Sequence, residues 1–75
     1  MFIFSAERLR EAREVKGLSR EQLALASGSS YSAITMYETG HRSPSRATLL
    51  RLAAALGLSP RDLVEPDPAF AMVAG

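Results

Sequence analysis

The chain has 75 residues, with nine Lys and Arg, eight Asp and Glu, one His and no Cys. That length holds a single small core, and the lack of Cys and the lone His exclude a disulfide framework and a Cys- or His-based metal cluster within one chain. The formal net charge is +1, so any affinity for a polyanion must come from where the charges lie.

Residues 1–4 are apolar but too short for a signal peptide or a membrane span, and charge follows at once. The chain reads as soluble and cytoplasmic, without membrane, metal or cofactor. Ser5 is placed to cap a first helix, with Phe4 and Leu9 at hydrophobic-staple positions. That helix runs to about Lys16 and stops at Gly17. Glu7, Arg10, Glu11 and Glu14 give it a solvated outer face. Ser19 and Gln22 have capping-box spacing and open a second helix that ends at Gly28. Ser30 caps a third helix, Tyr31 to Thr39, which Gly40 terminates. The stretch His41 to Pro44 is a loop, because the residue before a proline is pushed out of the helical region. Ser45 caps a fourth helix through Leu56, stopped by Gly57. Ser59, Pro60 and Asp62 form a start signal for a short fifth helix, ended by Pro66 and Pro68. No segment alternates with period two for long enough to suggest a sheet.

The expected fold is therefore all-α: a compact bundle of five short helices over residues 5–65, followed by a tail, 66–75. Leu9, Ala12, Leu18, Leu23, Ala24, Ile34, Tyr37, Leu49, Leu52, Ala53, Leu56, Leu58 and Leu63 form the expected core. Such helices are marginal alone and depend on one another's apolar faces.

The specific signal lies between Arg20 and Thr39. Two helices joined by a three- or four-residue turn containing Gly have helix-turn-helix geometry. Ala24 is small where the helices meet, Gly28 supplies positive φ, and Ile34 and Tyr37 fill the space behind the third helix. Tyr31, Ser32, Thr35 and Met36 are left facing outward, on a surface that can lie in a major groove.

Gly17-Leu18-Ser19, Gln22-Leu23-Ala24, Gly28, Ile34, Tyr37-Glu38-Thr39-Gly40, Pro44-Ser45 and Ala55-Leu56-Gly57-Leu58-Ser59 together resemble the Cro/cI-type helix-turn-helix family of transcriptional regulators, also called the xenobiotic-response-element family. The resemblance covers about Arg8 to Glu65. It implies a lambda-repressor-like domain that binds double-stranded DNA, with Tyr31 to Thr39 as recognition helix. Tyr31, Ser32 and Met36 match positions that touch base edges, and Thr35 lies beside them. Ser19, Arg20, Ser30, His41 and Arg42 match positions that hold phosphates. Arg13 and Glu38 match a structural ion pair beneath the recognition helix.

The outward positions carry no Arg, Lys, Asn or Gln, the side chains that make bidentate base contacts. Direct readout is expected to be modest, with more weight on phosphates and DNA shape. From Gly40 to Arg51 there are three arginines and no acid, whereas most acids lie in the first helix or after the fourth. So few cations per subunit predict weak binding by one domain. They point to a homodimer on a pseudo-palindrome, its half-sites about 10 base pairs apart or a multiple of that. Leu50, Leu58, Val64, Phe2, Ile3 and the apolar tail 69–74 are candidate association surfaces. The activity expected is that of a small regulator, a repressor. The second reading is a protein-interaction module on the same fold, such as an antitoxin or a subunit of a larger regulator. An enzyme is not expected: no nucleophile is positioned with a base, and Ser27 to Ser32 lacks the pattern of a phosphate loop.

Overall fold

The computed structural model describes residues 2–67 and 69. In chain order the elements are strand β1 (Phe2–Phe4), helices α1 (Ala6–Lys16), α2 (Arg20–Ser27), α3 (Tyr31–Glu38) and α4 (Arg46–Leu56), a 3₁₀ turn (Pro60–Leu63) and strand β2 (Val64–Pro66). Four α-helices thus stand among the described residues, where five are expected from the sequence. The fifth segment starts as read, with Pro60 at its first turn and the Asp62 carboxylate accepting from the Ser59 N–H at 2.9 Å. It lasts only four residues, a length at which 3₁₀ geometry is common. Pro66 then restricts Glu65 to extended backbone, and β-branched Val64 favours it too.

The second departure is the sheet. β1 pairs antiparallel with β2, Phe2 opposite Pro66, Ile3 opposite Glu65 and Phe4 opposite Val64. Strands of three residues carry too few positions to show alternation, and the pairing joins the two ends of the described chain. It extends the packed unit beyond 5–65 to Phe2 and Pro66. The Ser5 N–H donates to the Leu63 carbonyl at 2.9 Å and Arg8 donates to the Val64 carbonyl, which fastens α1 to this seam.

Each helix begins at the serine read from the sequence. The hydroxyls of Ser5, Ser19, Ser30 and Ser45 accept from the backbone N–H three residues on, and Ser19 with Gln22 completes a capping box. Losing one such cap costs about 1 kcal/mol. α3 ends at Glu38 with Thr39 as cap, one residue short of expectation.

Leu9, Leu23, Ala24, Ile34, Tyr37, Leu52, Ala53, Leu56 and Leu63 are buried together, with Ala12, Leu18 and Leu49 packed against them. α2 packs on both α3 and α4, and α1 packs on α3. Leu58, expected in the core, is exposed. Phe4 is half-buried against the core and meets the Tyr37 ring edge-on, centroids 6.3 Å apart at 72°. It therefore does more than staple α1. Of the tail 66–75, position 68 and positions 70–75 lie outside the described residues.

Gly28 sits at φ +71°, between α2 and α3, and nothing lies within 4 Å of where a Cβ would stand. The residue is needed for its dihedral and not for space. Gly28→Ala is expected to lower stability by about 1 kcal/mol, a left-handed penalty partly offset by a less flexible unfolded chain. A denaturant melt checks this; an unchanged midpoint would show that alanine tolerates the turn.

Candidate nucleic-acid interface

The outer face of α3 is set by its inner one. Ile34, Tyr37 and Glu38 are buried, which leaves Ser32, Thr35 and Met36 on the outer arc of the helix and Tyr31 at its first turn. Tyr31 is 51% exposed and Met36 40%. Ser32 is exposed, and Thr35 is only partly so. The Thr35 hydroxyl oxygen is fully covered and has no hydrogen-bond partner among the described residues. Thr35 therefore shows carbon rather than oxygen at the surface. Sequence could not reveal this, because it depends on a side-chain rotamer. The Thr39 hydroxyl turns back onto the Thr35 carbonyl at 2.8 Å.

Around this face lie the other residues of interest. A hollow of about 430 Å³ is lined by Arg13, Ser19, Arg20, Glu21 and Tyr31. It brings the amino end of α2 beside the first residue of α3. The exposed backbone N–H groups of a helix amino end favour an anion, though the carboxylate of Glu21 in the same hollow opposes one. The Ser19 and Ser30 hydroxyls accept from backbone amides as caps, which leaves each O–H free to donate outward. After α3, the backbone N–H groups of His41 and Arg42 both donate to the Met36 carbonyl, at 3.0 and 3.3 Å, and hold the loop against the helix end. His41 Nδ1 lies 2.8 Å from Thr39 Oγ1. Which of the two atoms donates is set by the tautomer of the ring.

Beneath α3 lies the charge cluster. Glu38 is buried on the inner side of the helix, its side chain fully covered. Arg13 grips it with two bonds, Nε to Oε2 at 2.6 Å and Nη2 to Oε1 at 3.0 Å, and gives a third, from Nη1 to the Leu18 carbonyl, at 2.8 Å. The hydrogen bond to Glu38 raises the Arg13 pKa above its usual value and outweighs the effect of burial. Arg20 Nε reaches the same Oε1 at 3.2 Å. Sequence reading paired Arg13 with Glu38 and set Arg20 aside for phosphate. The structure adds Arg20 to the pair, so one carboxylate holds two guanidinium groups and fixes Arg20 at the edge of the hollow.

Arg51, one of the three arginines between Gly40 and Arg51, is tied down. Its Nε donates to the Ser27 carbonyl at 3.1 Å and its Nη2 to Thr48 Oγ1, joining α4 to the end of α2. Arg42 and Arg46 are exposed and form no salt bridge among the described residues. Arg46, at the first position of α4, stands beside the interface loop in sequence. The density of arginines there was the only signal that could have singled it out.

Two helices crossing at a glycine turn, the second with one face packed and one free, define a helix-turn-helix protein. The chain belongs to the helix-turn-helix family (HTH_3) of Cro/cI-type transcriptional regulators, whose family model matches residues 9–63. It is 43% identical over 54 residues to the uncharacterized HTH-type transcriptional regulator y4dJ of Sinorhizobium fredii, covering 72% of this chain and 70% of that protein. Its fold is similar to that of the restriction-modification controller protein C.AhdI from Aeromonas hydrophila, with a TM-score of 0.75 and 46% identity over 77% of this chain and 88% of that one. It is also similar to the P22 c2 repressor in complex with a synthetic operator, with a TM-score of 0.77 and 32% identity over 83% of this chain and 94% of that one. DNA-binding regulation of transcription is the function of this family. No helix among the described residues is long and apolar enough to cross a membrane.

Proposed function

We propose that this chain is an operator-binding repressor that lays α3 in the major groove of double-stranded DNA. The observation that carries this reading is the packing of α3: Ile34, Tyr37 and Glu38 are locked inward while Ser32 and Met36 stand free on the other side and Tyr31 is exposed at the first turn. In that pose Tyr31, Ser32, Thr35 and Met36 meet base edges. Ser19, Arg20, Ser30, His41 and Arg42 flank them and hold phosphates, with Arg46 as an added cation. The likeness to the P22 c2 repressor–operator complex supports the repressor reading.

The active species is a homodimer on a pseudo-palindrome, acting in the cytoplasm. Leu50 and Leu58 are exposed and Val64 is half-buried, which leaves the first two as the stronger association surface. The DNA-binding domain is the unit 5–65, to which the pairing of β1 with β2 adds Phe2–Phe4 and Pro66. No enzymatic activity is assigned to it.

Salt titration tests the reading. Affinity for duplex DNA falls as about the −0.9 power of salt concentration per phosphate neutralised, so three arginine contacts per subunit, from Arg20, Arg42 and Arg46, give a dimer a slope of roughly −5. Binding without salt dependence contradicts the phosphate assignments. No retention on nonspecific duplex at low salt and tens of micromolar protein, on the order of ordinary nonspecific affinity, favours the protein-interaction module.

A further inference from the structure

We infer that α3 reads thymine through its C5 methyl group, with the Met36 thioether as the reading side chain and the carbon face of Thr35 and the ring of Tyr31 beside it. This rests on the operator-binding reading above and names the chemistry that the same face selects.

The outward face of α3 lacks every side chain that can grip a base edge with two hydrogen bonds. Its exposed polar functions are the hydroxyls of Tyr31 and Ser32. The Thr35 hydroxyl is covered and the Thr39 hydroxyl is bonded back to the helix. What remains at the centre of the face is apolar: Met36 is 40% exposed and Thr35 presents carbon. The thymine methyl is the one apolar feature in the major-groove pattern of the four base pairs. A thioether with three rotatable bonds can close over it, and the gain comes from removing both surfaces from water. The Met36 carbonyl accepts from the N–H groups of His41 and Arg42, so the residue that bears the reader also anchors the loop that carries the phosphate contacts. A methyl contact at Met36 and the phosphate grip are thereby held in one frame.

Deoxyuridine in place of thymidine tests this directly. It keeps the pairing and the O4 acceptor and removes the methyl alone. A duplex selected by the protein from a random pool is remade with uridine at one thymine at a time, and each is titrated. At one or more thymines, binding is expected to weaken by about fourfold, the worth of one buried CH₂-sized group. Met36→Ala, an exposed position whose fold is checked by a melt, is expected to bind the thymine and uracil forms of that duplex alike. The inference is overturned when every uridine duplex binds as the parent does, or when Met36→Ala keeps the full difference. A pool that yields no selected duplex overturns the operator reading itself, which separates the two failures.

Discussion

Replacing Glu38 by Ala is expected to destabilise the fold by roughly 3–5 kcal/mol, because it strands buried charge. Arg13 is almost covered and gives two of its three hydrogen bonds to Glu38. Without the carboxylate it keeps only the Leu18 carbonyl. Arg20 suffers less, since a third of its side chain is exposed and can turn to water. A domain of this size loses about 4–8 °C of melting temperature per kcal/mol, so the drop is roughly 12–40 °C. Removing the pair together, as Arg13→Met with Glu38→Leu, recovers part of the loss, because no partner is left unpaired. Thermal melts of the three proteins decide this. A Glu38→Ala midpoint within the range of an ordinary surface substitution, about 0.5 kcal/mol, would remove the pair from the account of stability.

Ser32→Glu is expected to abolish operator binding while leaving the fold intact. Ser32 is exposed on the second residue of α3, and its side chain makes no hydrogen bond among the described residues. A carboxylate there faces the bases and the phosphates on both sides of the groove. Like charges brought together at an interface cost several kcal/mol, which is roughly a hundredfold or more in affinity. Glutamate is also a good helix former, so the melting temperature should hold or rise slightly. Fluorescence anisotropy on a selected duplex, beside a thermal melt, checks both halves. Ser32→Glu that binds as tightly as the parent would show that α3 does not enter the groove.

Much of this scaffold was legible because it is written locally. The serines at 5, 19, 30 and 45 and the glycines at 17, 28 and 57 bound the helices, since a cap and a left-handed stop each depend on a few neighbouring residues. The apolar periodicity then gave most of the core. The misses are non-local. β1 and β2 pair across the length of the chain, and nothing in three residues announces that partner. Leu58, whose apolarity suits both the core and an association surface, follows the stop at Gly57 and is exposed. In the site, the Arg13–Glu38 pair came from family likeness. The second arginine on Glu38, the anchoring of Arg51 to Ser27 and the inward Thr35 hydroxyl all depend on how α1, α2, α3 and α4 are set against one another. They change the site in one direction. Two cations counted toward DNA are partly engaged within the protein, and one hydroxyl counted toward bases is turned away. The reading face is thus more apolar than its sequence alone suggested.

The most direct test of operator recognition by α3 is selection of bound sequences from a random duplex pool. Enrichment of an inverted repeat that contains thymines is expected, its half-site centres about 10 base pairs apart or a multiple of that, to match a two-fold dimer. A pool that stays random after repeated rounds, at salt low enough for nonspecific retention, would contradict it.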